Sequence, residues 1–361
     1  MTNRLFTPGP TTIPPFVQKA MAQPLMYHKS AEFRELMRNI LDNLQYVFCT
    51  NEIVLPIACS ATGAAEAVVS NLHSHGEKVL VLNNGRFAQR WRDMLELFGI
   101  VVINEEIEWG DAPSVEQVAA LLEVHNDIKA VWIVHCETST GTVANIKELA
   151  VTIRANSDAL ICVDGVSSVG ALECKMDEWG IDALICGSQK ALMTPPGLGV
   201  VSLSRKAWKV VEAKKSSSFY FDLCRLRTAA EKNLGVFTPA VSLLMGLESA
   251  LHFIKTEGLD KVIKRHTDVA NTVREGVKEL GLKLISRFPS DSLTVVKVKN
   301  ADDVIARLRK EYGIIVAGGQ DDFSGKVMRI GHLGYVSQED ASYFLDVLDQ
   351  ILHNNSIVNK K

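Results

Sequence analysis

Lys190 leaves an apolar run, Ala183-Leu184-Ile185-Cys186, through the short polar approach Gly187-Ser188-Gln189, with Pro195-Pro196-Gly197 just behind it. Lysine is nearly always exposed, because burying an unpaired ammonium is costly. A lysine held in a pocket with its pKa lowered is an amine nucleophile toward aldehydes. An exposed helix start is the plain structural alternative for the same pattern.

Other apolar runs end in residues of complementary chemistry. Residues 54–58 lead into Cys59-Ser60-Ala61-Thr62-Gly63, small residues and hydroxyls ahead of a helix. Such a helix start makes an anion cradle from backbone N–H groups and the positive dipole end, or is simply capped by Ser60 or Thr62. Asp164 follows 159–163 and leads into Gly165-Val166-Ser167-Ser168. A carboxylate in that setting pairs with a protonated ring nitrogen, caps a helix or binds a metal. His135-Cys136-Glu137-Thr138-Ser139-Thr140-Gly141 follows 130–134, as a polar cluster for a ring substituent or as a capped turn. Phe87, in Asn83-Asn84-Gly85-Arg86-Phe87 after 78–82, offers an aromatic face or is core. Arg329 lies between Met328 and Ile330, where a guanidinium suits a carboxylate or pairs with a local acid. One ligand meets these demands together: pyridoxal phosphate carrying an amino acid, the ring serving as electron sink.

The elements that must position these residues alternate. Helix patterns are read at 31–48, 64–72, 87–98, 114–124 and 146–155, and strands at 54–58, 78–82, 100–103, 130–134, 159–163, 183–186 and 199–203. The strands are continuously apolar, the mark of a mainly parallel sheet covered by helices on both faces. The expectation is an α/β large domain with a seven-stranded sheet. Residues 204–236 read as basic and irregular, including Lys214-Lys215, and 240–257 as a long helix. Helices at 259–280, 301–312 and 337–353 with strands at 293–298, 314–316 and 327–330 make a smaller C-terminal α+β domain. The expected division is an N-terminal segment at 1–20, a large domain at 21–255 and a small domain at 256–361.

The 361 residues are 47% hydrophobic and 22% charged, with a formal net charge of −3. This is soluble globular composition with room for two domains, and it shows no basic field for nucleic acid or anionic membrane. No apolar stretch is long enough to span a bilayer. With no leader pattern at the N-terminus and no peroxisomal tripeptide in Val358-Asn359-Lys360-Lys361, a cytoplasmic location is the default expectation. The seven cysteines (Cys49, Cys59, Cys136, Cys162, Cys174, Cys186, Cys224) include no CxxC pair. Reduced, buried thiols are expected, and no metal site.

The whole chain resembles the fold-type I, class V pyridoxal-phosphate aminotransferases of the alanine–glyoxylate and serine–glyoxylate (serine–pyruvate) branch. Thr7-Pro8-Gly9-Pro10-Thr11 resembles that branch's "TPGPT", His28-Lys29-Ser30-Ala31-Glu32-Phe33 its "HRSPEF", and Glu137-Thr138-Ser139-Thr140-Gly141 its "ESSTG". Gly187-Ser188-Gln189-Lys190-Ala191-Leu192 with Pro195-Pro196-Gly197 resembles "GSQKAL…PPG", the most specific match. The resemblance implies that Lys190 holds the cofactor and Asp164 pairs with its ring nitrogen, with Val166 and Phe87 on the two ring faces. It further implies that Ala61, Thr62 and Gln189 bind phosphate, and that Thr138 meets the ring O3′ region. Arg329 is implied to clamp the substrate carboxylate under the backbone of Pro8, Gly9 and Pro10. Thr238 is implied to reach the phosphate of a partner subunit, hence a homodimer with shared active sites. Relatives often carry a tyrosine where this chain has Gly235 and Phe237, and Ser-Gly-His where it has Ser60-Ala61-Thr62.

The expected reaction is transamination between alanine or serine and glyoxylate or pyruvate. The alternatives are an aminoethylphosphonate-type transaminase and a lyase or cysteine desulfurase of the same fold, with Cys224 as a loop nucleophile beside Arg225. A redox-partner subunit is the non-enzyme alternative.

Overall fold

The computed structural model describes residues 4–358 apart from 215; residues 1–3, 215 and 359–361, with the readings placed on them above, lie outside the described residues. The chain begins with a short strand, β1 (Arg4–Phe6), then α1 (Pro15–Met21) and α2 (Ala31–Phe48). Strands and helices then alternate: β2 (Val54–Ala58), α3 (Ala61–Leu72), β3 (Lys78–Asn83), α4 (Arg86–Leu97), β4 (Val101–Glu106), α5 (Val115–Val124) and β5 (Ala130–Val134). A hairpin, β6 (Cys136–Glu137) and β7 (Thr142–Val143), precedes α6 (Ile146–Asn156), β8 (Leu160–Asp164), β9 (Ala183–Gly187) and β10 (Leu198–Leu203). After α7 (Arg205–Ala213), α8 (Leu223–Ala230), α9 (Val241–Glu257) and α10 (Leu259–Glu279) come β11 (Lys283–Leu284), β12 (Leu293–Lys297), α11 (Ala301–Tyr312), β13 (Ile314–Gly318), β14 (Val327–Gly331) and α12 (Gln338–Val358).

The large sheet has seven strands in the order β2-β10-β9-β8-β5-β3-β4. From β9 to β4 all neighbours run parallel, and β10 is antiparallel to both β9 and β2. Successive residues feed opposite faces. In β8, Leu160 and Cys162 join one apolar layer while Ile161 and Val163 join the other. Each fully buried aliphatic side chain contributes roughly 1.5–3 kcal/mol. Parallel strands put their carboxyl ends on one edge, and the chain order reverses beside β5. That is where an open α/β sheet binds ligands.

The small sheet runs β1-β13-β14-β12-β11 and packs over its own core with α10, α11 and α12. β1 pairs parallel with β13, tying the N-terminal segment to the small sheet. That strand and nearly all of α1 lie in the stretch read above only as an N-terminal segment.

Two expectations need correction. Residues 204–236 are not irregular throughout, because α7 and α8 lie there. α7 buries Ala207, Trp208 and Val211 beneath its basic residues, and α8 is capped by Asp222, whose side chain accepts from Arg225 N. Cys224 therefore rides a helix rather than a loop. The thiols are also not all buried: Cys49, Cys59 and Cys224 are half-buried, while the other four are buried and all seven are free.

Candidate active site

At the carboxyl ends of the parallel strands lies a cavity of about 340 Å³. Gly9, Ala61, Thr62, Phe87, Thr138, Asp164, Val166, Gln189 and Lys190 all line it.

Lys190 follows β9 by three residues and is only 9% exposed. Its Nζ donates to Pro8 O at 2.5 Å. Burial pushes the amine from 10.5 down to about 8; Cys136 and Asp164 nearby pull it back up, and Arg329 pushes it further down. The turn is pinned from above, since Thr11 Oγ1 donates to Lys190 O at 2.9 Å and Thr11 N to Gln189 O at 3.0 Å. Gly9 passes so close that a Cβ there would stand 2.6 Å from Nζ.

Asp164 ends β8. Its Oδ1 accepts from Val166 N at 2.9 Å and its Oδ2 from Trp91 Nε1 at 3.0 Å. Burial pushes the carboxyl up, and these two donors oppose it.

The third wall is the start of α3. Ser60 caps the helix, its Oγ accepting from Gly63 N at 3.3 Å. The first N–H groups of a helix have no intrahelical acceptor, so those of Ala61 and Thr62 suit an anion. Gln189 stands beside this cradle with Oε1 buried and unpartnered, leaving its amide free to turn an NH2 toward an anion. A Cβ on Gly187 would stand 2.8 Å from Gln189 Oε1 and 3.0 Å from Ala61 Cβ, so glycine is what lets these groups meet. An aldehyde bearing a phosphate and a basic ring nitrogen fits this set: amine, cradle and carboxylate all face one space.

Phe87 lies in the first turn of α4, with the Arg90 guanidinium 4.9 Å from its ring centroid. That turn has no capping side chain of its own, because its N-cap is Gly85. Glu137 replaces one from across the site. Its Oε2 accepts from Phe87 N and Ala88 N at 2.9 and 3.1 Å, and its Oε1 from Ser139 N and Oγ at 2.9 and 2.6 Å. Burial pushes this carboxyl up, and all four donors pull it back.

Arg329 comes from β14 in the small sheet and does not itself line the cavity. Among the described residues its hydrogen bonds go to neutral oxygens: Gly318 O at 2.7 Å, Gln320 Oε1 at 3.2 Å and Thr138 O at 3.3 Å. The last bond sets the guanidinium directly behind the cavity wall. Thr238 is the one expected residue not brought near; it is on a separate surface pocket with Leu25, Met26, Tyr27 and His28. Sequence reasoning missed Arg90 and Trp91, and placed Cys136 and Glu137 only within a polar cluster, with no role of their own. The signal for Trp91 was its place one helical turn after Phe87, on the same face.

A buried amine, a carboxylate and a helix start with free N–H groups, at the switch point of a doubly wound sheet, suit a phosphorylated ring aldehyde. Residues 5–344 match the family model of class V aminotransferases. The chain belongs to that family and is an aminotransferase, and the family implies pyridoxal 5′-phosphate as its cofactor. It is 37% identical over 354 residues to the soluble hydrogenase 42 kDa subunit of Anabaena cylindrica, covering 96% of this chain and 92% of that one. It is 36% identical over 351 residues to the serine–glyoxylate aminotransferase of Methylorubrum extorquens, covering 93% and 87%. The crystal structure of an alanine–glyoxylate aminotransferase from Nostoc sp. superposes with a TM-score of 0.92 at 29% identity, covering 98% and 96%.

Proposed function

We propose that this chain moves an amino group between a small L-amino acid, alanine or serine, and a 2-oxo acid, glyoxylate or pyruvate, as a homodimer. The observation that carries the reading is the buried Lys190 amine, brought to about 8, in one cavity with Asp164 and the α3 cradle. Pyridoxal 5′-phosphate held there supplies the electron sink for the charge left on Cα when its proton departs.

The chain's own residues do the rest. Ala61, Thr62 and Gln189 hold the phosphate, Thr138 meets the ring hydroxyl side, and Val166 and Phe87 fix the ring plane. Asp164 keeps a proton on the ring nitrogen. Lys190, with an amine that is partly neutral near pH 8, would be the base that takes and returns the proton at the substrate Cα. Arg329 binds the α-carboxylate once its bonds to neutral oxygens are exchanged. Pro8, Gly9 and Pro10 exclude water above Lys190. In this reading residues 21–255 carry the cofactor end, 256–361 the carboxylate end and 1–20 the cover. Thr238, exposed and apart from its own cavity, serves the partner's.

A donor–acceptor panel of serine and alanine against glyoxylate and pyruvate tests this by product chromatography. Amino transfer with at least one pair supports it. A folded, cofactor-binding chain that transfers to none of these acceptors overturns it. For a desulfurase reading the Cys224 thiol points the wrong way: burial raises its pKa.

A further inference from the structure

We propose that Trp91 is a positioning residue of the reaction: its indole N–H orients Asp164 and keeps that carboxylate in its charged form. The inference rests on the aminotransferase reading and adds a residue to it.

The indole is held from behind. Trp91 is 3% exposed, and its ring stacks on that of Trp132, centroids 4.3 Å apart at 30°. Trp132 sits on β5 directly beside Cys162 of β8, two residues before Asp164. The stack therefore fixes where the Trp91 edge points, and it points at Asp164 Oδ2, 3.0 Å away. An indole nitrogen only donates. Val166 N, also only a donor, meets the other oxygen at 2.9 Å. Both oxygens thus face an N–H, and an acid proton placed on either one weakens that oxygen as an acceptor. Both bonds consequently favour the carboxylate over the neutral acid. They leave the remaining lone pairs for the cavity, where a protonated ring nitrogen would lie.

Charge alone does not secure this state. Burial works against it, and the other charges acting on Asp164 are Lys190 and Arg90. Cys186, close enough to feel Asp164, is itself pushed up to about 12 by burial and so stays a neutral thiol. Of the four favourable influences, Trp91 is the side chain that bonds Asp164 directly.

The test is Trp91→Phe, which keeps an aromatic ring against Trp132 and removes the donor. In the full-length chain freed of cofactor and labelled with carboxyl-13C aspartate, Asp164 is assigned by its loss in Asp164→Asn. The expected result is an Asp164 titration moved upward by roughly one pKa unit, since hydrogen bonds to charged groups contribute more than neutral ones. Trp132→Phe, which keeps an aromatic ring behind Trp91 and leaves its N–H donor in place, leaves the titration in place. In the loaded enzyme, Trp91→Phe lowers kcat about tenfold with KM changed less than about twofold. The 15N indole signal of Trp91 in the unaltered chain gives a second reading that needs no tryptophan variant: it shifts in Asp164→Asn. An Asp164 titration unmoved by Trp91→Phe, or a Trp91 indole signal identical in wild type and Asp164→Asn, overturns the proposal. Neither NMR reading requires amino transfer, so a failed donor–acceptor panel would refute the proposed function without touching this result.

Discussion

Lys190→Met should make the cofactor-free protein more stable at neutral pH, because the wild-type amine is held where its charged form is penalised. Methionine keeps an unbranched chain in a site only 9% exposed. Burial brings the amine from 10.5 to about 8. At about 1.4 kcal/mol per pKa unit, the folded state gives up about 3 kcal/mol of stability below the folded pKa, where the amine is charged in both states. The bond from Nζ to Pro8 O is lost in the variant, which returns about 1 kcal/mol. The net expected gain is therefore about 2 kcal/mol. The sign follows from a folded pKa below the unfolded one. The penalty is fully present below pH 8, shrinks as pH rises from 8 toward 10.5, and is gone above that. Urea denaturation of the cofactor-free wild type and variant at pH 7 and at pH 10 reads both the gap and its closure. A wild type as stable as the variant at pH 7, or a gap that persists at pH 10, would refute the claim that this amine is destabilised by its pocket.

Three further outcomes follow from the geometry. Arg329→Ala removes the guanidinium that bonds Thr138 O behind the cavity wall and should raise KM for amino and oxo acid alike by roughly a hundredfold; steady-state kinetics with an unchanged KM would remove Arg329 from the carboxylate role. Glu137→Gln cannot accept at both ends, so about two of its four donors lose their acceptor, and denaturation should show a loss of about 3 kcal/mol, with less than about 1 kcal/mol contradicting the role. Gly9→Ala sets a methyl 2.6 Å from Lys190 Nζ on a backbone at φ 136° that side chains rarely adopt, and kcat should fall about tenfold or more; full activity would show that the cover does not bear on the amine.

The cavity was legible because a parallel sheet puts its chemistry at strand ends. Asp164, Lys190, Thr138, Phe87 and the Ala61–Thr62 pair each follow an apolar run, so their convergence could be argued before any coordinates. Trp91 and Arg90 were not legible, because one turn into α4 they read as an ordinary amphipathic face. Glu137 looked like part of a polar turn; its work as the missing cap of α4 depends on Gly85 passing beside it, a tertiary fact. The bond from Arg329 to Thr138 O joins residues 191 apart in sequence and leaves no local pattern. β1 is three residues long, too short for periodicity, and exists because β13 offers an edge. The charged residues of α7 masked a helix whose buried stripe is Ala207, Trp208 and Val211. Thr238 marks the limit of reasoning from one chain, since the role implied for it belongs to another subunit's cavity.

The central claim is that Lys190 is the amine that holds pyridoxal 5′-phosphate. Loading the protein with that cofactor, reducing with borohydride and mapping the added mass by tryptic mass spectrometry tests it directly. One modified peptide, containing Lys190, is expected, and none in Lys190→Met. Modification of a different lysine, or a chain that binds the cofactor yet carries no label, would contradict it.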